Sequence, residues 1–172
     1  MTLNPDVEHP LKFILWRQMS ASIAMLENAI GACPAELWRD RTREPQVWYL
    51  VYHTLFWLDF YLTGKEDEFS PPPPFGLEEL DPAGILPDRV YTQDEMRYYL
   101  EYCRRKAKRM LASLSEENPG PRYSFRWGEV SWVELQICNL RHVQHGAAQL
   151  NLILRQELND APGWVGGTGE EL

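Results

Sequence analysis

Three of the four histidines of this 172-residue chain lie in segments with helical periodicity. His142 and His145 stand three residues apart in the run Asn139-Leu-Arg-His-Val-Gln-His-Gly-Ala-Ala-Gln149, so both lie on one face of a helix. His53 lies in the middle of an earlier apolar segment. Neutral imidazole nitrogens suit divalent ions such as Zn²⁺ or Ni²⁺, and three protein ligands leave a coordination position open. The pattern indicates a metal site held by His53, His142 and His145.

Other polar residues share the face that carries the histidine pair. A stripe about 80° wide on the helical wheel contains Leu135, Cys138, His142, His145 and Gln149. Cys138 could be a substitute ligand, although a small buried thiol is the commoner role. Asn139 and Gln149 could orient ligands or satisfy polar neighbours. A single histidine on an apolar helix, such as His53, is more often a core residue held by a hydrogen bond, and histidine pairs also arise by chance, so a structural role stays open.

Four predicted helices must position these residues. Apolar residues recur at helical spacing over residues 11–30, 45–63, 92–114 and 131–158. The second helix begins near Pro45 and stops at Gly64, and it is apolar nearly all round, so it is expected to be the most buried. The third and fourth helices open with the capping boxes Thr92-Gln-Asp-Glu95 and Ser131-Trp-Val-Glu134.

The segments between the helices complete the predicted fold. Residues 65–91 contain the run Pro71–Pro74 and further prolines, so regular helix is not expected there, and the segment is a lid, a binding loop or a plain crossover connection. Residues 118–128 are predicted to be a loop, and no strand alternation stands out. Residues 161–172 are glycine-rich and are predicted to be a flexible tail. The predicted fold is all-α: one four-helix bundle over residues 1–160, with a long Pro-rich crossover between helices 2 and 3.

Composition narrows the function classes. The net charge of −8 argues against a nucleic-acid partner. No apolar run reaches the roughly 18–20 residues of a membrane helix, and the first residues lack the pattern of a signal peptide. The three cysteines form no CxxC pair and fit reduced thiols. We therefore expect a cytoplasmic protein without a nucleic-acid or membrane partner.

The chain resembles the DinB-like (DinB/YfiT) superfamily of metal-dependent four-helix-bundle proteins over about residues 10–158. The residues that carry the resemblance are Glu36-Leu-Trp38, Trp48-Tyr-Leu-Val-Tyr-His53-Thr-Leu-Phe-Trp57 and, most specifically, Leu140-Arg-His142-Val-Gln-His145-Gly-Ala-Ala-Gln149-Leu. The resemblance implies an up-up-down-down bundle and a three-histidine site for Zn or Ni that is open to solvent or substrate. It also implies a homodimer.

One position departs from the family pattern. Family members typically carry their second histidine where this chain has Gly146, so His53 and His142 carry over residue by residue and His145 does not. Neighbouring helix positions differ in direction by about 100°. His145 could still ligate after a shift in helix rotation; otherwise the site is a two-histidine remnant completed by water, by Cys138 or by nothing.

The resemblance implies a metal-dependent enzyme, and in particular a transferase or isomerase that uses a low-molecular-weight thiol. A metal with an open position would bind the thiol and lower its pKa. The alternative is a non-catalytic bundle, for stress response or small-molecule binding, whose metal site is degenerate because of Gly146. A third hypothesis is a small-molecule binder that uses an aromatic pocket near Trp57 without metal. No residue is predicted to be a general base.

Overall fold

The computed structural model describes residues 10–115, 120, 122–125 and 128–172. The protein is mostly helical, with four main helices packed together and a small two-stranded hairpin. The elements are α1 (Pro10–Ala32), α2 (Ala35–Arg39), α3 (Val47–Thr63), a 3-10 turn (Glu78–Leu80), α4 (Gln93–Ala112), β1 (Arg122–Phe125), β2 (Gly128–Ser131) and α5 (Trp132–Leu158). None of the helices in the described part of the chain combines the length and apolar character that a membrane span requires.

The ends of the main helices follow the predicted signals closely. Thr92 caps α4 with a full capping box, because its hydroxyl accepts from the Glu95 backbone N–H while the Glu95 side chain accepts from the Thr92 backbone N–H. Gly64 ends α3 in the left-handed conformation, with φ of 77°. The predicted start of this helix near Pro45 is close to the observed one, since Gln46 is the N-cap and Val47 is the first helical residue.

The hairpin corrects the prediction of a loop over part of residues 118–128, and it adds a small sheet to a mostly helical fold. β1 and β2 pair antiparallel, with Tyr123 opposite Val130, and both side chains are buried. Tyr123 lies against Gly64, where an added Cβ would come within 2.3 Å of the tyrosine ring. Strands of four residues are too short to show a clear alternating pattern. Residues 118, 119, 121, 126 and 127 of the predicted loop lie outside the described residues.

The directions of α1, α3 and α4 follow from side-chain contacts. Gln93 at the start of α4 donates to the Ile30 carbonyl near the end of α1 at 3.0 Å. Lys108, late in α4, lies over the ring of Trp16, early in α1. These two helices therefore run antiparallel. α3 and α4 run in the same direction. Tyr91, just before α4, packs beside Trp48 at the start of α3, with ring centroids 6.0 Å apart. Lys106, late in α4, donates to Thr63 Oγ1 at the end of α3 at 2.5 Å.

α5 runs antiparallel to α3. The Asn139 amide donates to the Leu58 carbonyl at 3.1 Å, whereas Gly146, later in α5, lies against Thr54, earlier in α3. In an up-up-down-down bundle α3 would run parallel to α1 and antiparallel to α4, so these contacts correct that expectation. A parallel pair such as α3 and α4 needs a connection that returns along the helices, and the long Pro-rich crossover has the length to do so.

A buried polar network joins α3 to α4. Asp59 is fully buried, and it accepts from Lys106 Nζ and from the Tyr99 hydroxyl at 3.1 Å. Burial raises the pKa of Asp59, and the Lys106 ammonium and the Tyr99 hydroxyl oppose that rise. Each side chain has its partner inside the bundle, so the network links the two parallel helices without leaving Asp59 unpaired.

The C-terminal segment 161–172, predicted as a flexible tail, makes specific contacts with α1. The Trp16 indole donates to the Glu170 carbonyl at 3.1 Å, and the hydroxyls of Ser20 and Thr168 lie 3.0 Å apart. Ala161, Val165 and Leu172 are partly buried against the core. The segment therefore covers part of the outer surface of α1.

The crossing of α3 and α5 depends on the glycine at position 146. A Cβ added to Gly146 would lie 2.2 Å from Thr54 Oγ1 and 2.8 Å from Thr54 Cγ2. Any side chain there would collide with α3, so the glycine permits the close approach of the two helices. The position at which the family pattern has histidine is thus closed in this protein.

We expect Gly146→Ala to destabilise the protein by about 1–3 kcal/mol, because overpacking at Thr54 outweighs the roughly 1 kcal/mol that alanine gains over glycine within a helix. Thr54→Ala removes the two colliding atoms, so the double variant should recover most of the loss. Urea unfolding of the four proteins of this double-mutant cycle measures the coupling. A Gly146→Ala variant as stable as the wild type would contradict the close packing.

Candidate functional site

His53 and His142 meet across the antiparallel pair of α3 and α5. Their ring centroids lie 5.4 Å apart, with the ring planes inclined at 59°. His53 directly precedes Thr54, and His142 stands one helical turn before Gly146, so the close helix crossing brings the two rings together. The His53 side chain is 42% exposed, whereas the Nε2 atom of His142 is buried. The site is therefore a partly covered pair of imidazoles at one edge of the helix–helix contact.

The Pro-rich crossover supplies a carboxylate to this pair. Glu79, in the 3-10 turn, accepts through Oε2 from His53 Nδ1 at 2.7 Å and from the Trp57 indole at 2.9 Å. The Glu79 side chain is only 5% exposed. Hydrogen bonding at Nδ1 favours the tautomer of neutral His53 that carries its proton on Nδ1, which leaves Nε2 as an acceptor or metal ligand.

Glu79 is ionised despite its burial. Burial by itself raises the pKa of this carboxyl, but the hydrogen bonds from His53, Tyr49 and Trp57 outweigh that effect, and the net pKa is lowered. Tyr49 shows the reciprocal effect: burial and the neighbouring Glu79 both raise the pKa of its hydroxyl. A negative charge is thus held in place directly behind His53.

His142 is neutral at pH 7. Burial, followed by repulsion from the protonated form of His53, lowers its pKa from 6.5 to about 4, and the backbone carbonyl groups of His53 and Thr54 oppose this change only in part. Its buried Nε2 has no hydrogen-bond partner among the described residues. A buried ring nitrogen without a partner is uncommon, because losing contact with water costs free energy unless another group replaces it. His142 therefore presents an unused nitrogen beside His53.

The other predicted ligands lie at the margin of this pair. His145 is exposed, and its positive charge contributes to lowering the pKa of His142. Cys138 is a half-buried free thiol, near enough to Tyr61 to raise the pKa of that hydroxyl in addition to burial. In the part of the chain that the structure describes, no group of three or more His, Cys, Asp or Glu side chains is arranged to hold a metal ion. The structure brings His53 and His142 together, and ligation by His145 stays a prediction.

Asn139, which could orient a ligand, has a packing role instead. Its amide donates to the Leu58 carbonyl at 3.1 Å and to Gln136 Oε1 at 3.3 Å. Gln136 in turn donates to the Tyr61 carbonyl at 3.1 Å. These amides tie α5 to the backbone of α3 one turn from the histidine pair, and so hold the crossing that sets the distance between the rings.

Glu79 is the site residue that the sequence analysis did not predict. It lies in an irregular segment with no periodicity, beside a second acid, Glu78, which accepts from the Tyr52 hydroxyl at 3.2 Å. Nothing in the local sequence distinguishes the two carboxylates. The fold of the crossover over α3 decides which of them reaches His53.

Comparison with known proteins identifies no relative. No match to the chain is found among protein-family models, curated proteins or solved structures. The DinB-like resemblance therefore rests on the motif residues of the chain.

The depressed pKa of His142 predicts a loss of stability in mild acid. Between pH 6.5 and about 4 the unfolded chain binds a proton that folded His142 does not, so stability falls as the pH is lowered. From pH 7 to pH 5, wild type should lose about 1–2 kcal/mol more than His142→Gln. Urea unfolding at both pH values measures the difference. His145→Gln removes only a minor cause of the lowered His142 pKa, so it should keep most of the wild-type pH dependence. Equal pH slopes for wild type and His142→Gln would contradict the prediction.

Proposed function

We propose that this chain is a DinB-like protein in which His53 and His142 hold a divalent Zn or Ni ion, with His145 as the third protein ligand. The observation that carries the proposal is the buried, unpartnered Nε2 of His142 in ring contact with His53. A metal ion would satisfy this nitrogen by coordination, and the neighbouring His53 ring could bind the same ion.

The chemistry of the two donors suits a divalent ion. Metal-bound histidines commonly donate their other ring N–H to a carboxylate, which fixes the tautomer and raises the basicity of the ligand. The contact from His53 Nδ1 to Glu79 has this form. His142, with a pKa of about 4, has no proton to lose at neutral pH. The outermost donor, His145, is exposed, which fits a site that is open to solvent or substrate.

We infer from the resemblance a transferase or isomerase that uses a low-molecular-weight thiol. The bound ion would lower the pKa of that thiol and supply a thiolate nucleophile at neutral pH. The residues of the chain orient the site: Glu79 holds His53 through Nδ1, and Trp57 holds Glu79 through its indole N–H. We also infer an up-down-down-up order of the four main helices, from the directions of their contacts.

The second candidate is a non-catalytic bundle with a degenerate metal site. Two observations favour it: position 146 is closed by Thr54, and no three-ligand group is found among the described residues. Two imidazoles bind a divalent ion more weakly than three, so this candidate predicts weak or absent metal binding at neutral pH.

Metal content decides between the two candidates. For the metal site we expect about one Zn or Ni per chain, by plasma mass spectrometry, in protein purified without a histidine tag, and a rise in melting temperature when the ion is added, since it binds only the folded state. His53→Ala and His142→Ala should abolish both. His145→Gln shows whether His145 is a ligand, because loss of a ligand weakens binding. Wild-type protein that stays metal-free in excess Zn and Ni would favour the non-catalytic bundle, and a thiol-transfer activity that survives chelation would contradict the enzymatic proposal.

Glu79 should tune the affinity for the ion without contacting it. Glu79→Gln removes the negative charge behind His53, and we expect Zn affinity to fall by about 10–100-fold, as is typical for such outer partners. Competition with a chromophoric chelator measures the affinity. Glu78→Gln, in the same 3-10 turn, is the matched control and should bind as wild type. Equal affinities of the two variants would show that the carboxylate does not support a metal ligand.

A further inference from the structure

A cavity of about 590 Å³ opens at the C-terminal end of α3, next to the histidine pair. Its walls include Trp57, Phe60 and Tyr61 from α3, Leu80 from the 3-10 turn and Tyr123 from β1. This volume lies in the range of sites that enclose small organic molecules. Three separate parts of the chain build the cavity, so it exists only in the folded protein.

The wall of the cavity is mainly aromatic. The Trp57 ring centroid lies 5.2 Å from that of Phe60 and 5.6 Å from that of Tyr61. Tyr123 also lines the cavity and lies against the backbone of Gly64. Trp57 and Tyr61 are both half-buried, so their rings keep surface available to a ligand. Clustered aromatic rings attract cations through their quadrupoles, most strongly where water is excluded.

The charges around the cavity are predominantly negative. Two cations line it, but each forms an ion pair: Lys65 with Glu68 at 2.6 Å and Arg122 with Glu129 at 3.9 Å. Glu66 and Asp67 also line the cavity, and neither forms an ion pair within the described ranges. The hydrogen bond to Glu68 is the main cause that raises the pKa of Lys65, and the negative charge of Asp67 adds a small contribution. The two cations are thus paired with carboxylates outside the lining, Glu68 and Glu129, whereas the two lining carboxylates are not paired. Counting all six groups, four negative and two positive charges leave a net charge of −2 around the cavity.

We propose that this cavity binds a small organic cation, an alkylated or aralkyl ammonium, with its charged group against the aromatic wall and close to Glu66 and Asp67. Such a ligand combines the two features of the cavity, since its apolar groups occupy the aromatic wall and its charge interacts with the rings and the acidic mouth. An anion of the same size meets the negative mouth and is disfavoured. The site does not depend on a metal at His53 and His142.

A series of probes of similar size tests the class of ligand. Isothermal titration of the full chain with benzyltrimethylammonium, benzyl alcohol and benzoate compares a cation, a neutral molecule and an anion. We expect the cation to bind at least about tenfold more tightly than the neutral probe and the anion not to bind. The contribution from Glu66 and Asp67 should weaken with added salt. Equal affinity for the cation and the neutral probe would overturn the proposal and identify an apolar cavity only.

Paired variants locate the bound cation. Tyr61→Leu removes a ring from the wall and should weaken binding of benzyltrimethylammonium about fivefold or more, whereas Tyr61→Phe keeps the ring and should bind as wild type. The Glu66→Gln/Asp67→Asn double variant should also weaken binding. Its control, Asp88→Asn/Glu171→Gln, removes the same charge from exposed positions elsewhere and should not.

Two further measurements distinguish cation binding in the cavity from metal binding at the histidine pair. Far-ultraviolet circular dichroism confirms that each variant is folded, and titrations with and without a chelator show whether the ion affects the cavity. Unchanged affinity in both Tyr61→Leu and the acidic double variant would place the bound cation outside this cavity and overturn the proposal. Cation binding that persists in His142→Ala supports the cavity whatever the outcome of the metal measurements.

Discussion

The close crossing of α3 and α5 at Gly146 and Thr54 is the constraint on which the candidate site depends. Because position 146 has no side chain, the two helices approach until a Cβ there would overlap Thr54. His53 adjoins Thr54 in sequence and His142 precedes Gly146 by one turn, so the same approach sets the 5.4 Å between the rings. The amides of Asn139 and Gln136, bonded to the α3 backbone, hold the crossing on its other side. A larger residue at position 146 would move α5 and separate the histidines.

The Pro-rich crossover has three connected roles. It joins two parallel helices, which requires a long return path. Its 3-10 turn carries Glu79 to His53 and Leu80 to the wall of the neighbouring cavity. Adjacent residues of one short turn therefore serve the histidine pair and the cavity, and a displacement of this turn would alter both. The Asp59–Lys106 network ties together the same two parallel helices that the crossover connects.

Burial acts on the two sides of the histidine pair with opposite results. His142 has few partners for a charge, so burial prevails and the ring is neutral with a pKa of about 4. Glu79 is also buried, but several hydrogen bonds stabilise its charged form, and its pKa is lowered. The difference lies in the donors that surround each group rather than in the depth of burial. The ionised carboxylate of Glu79, the hydrogen-bonded ring of His53 and the unprotonated ring of His142 therefore lie next to one another in space. A negative charge beside two ring nitrogens suits the binding of a cation.

The sequence by itself determined the four main helices, because their apolar periodicity and their capping residues, such as Thr92 and Gly64, are local signals. It also indicated His53 and His142, since histidines on helix faces are conspicuous in a chain with so few of them. It did not determine the β-hairpin, whose strands are too short for a periodic signal, or the directions of the helices, which depend on how the long connection packs. Only the tertiary structure selected Glu79 over Glu78 as the partner of His53 and closed position 146 against Thr54. Both outcomes arise where segments distant in sequence meet, and the space and the hydrogen-bond partners at such meeting points are set by the packing of the whole chain.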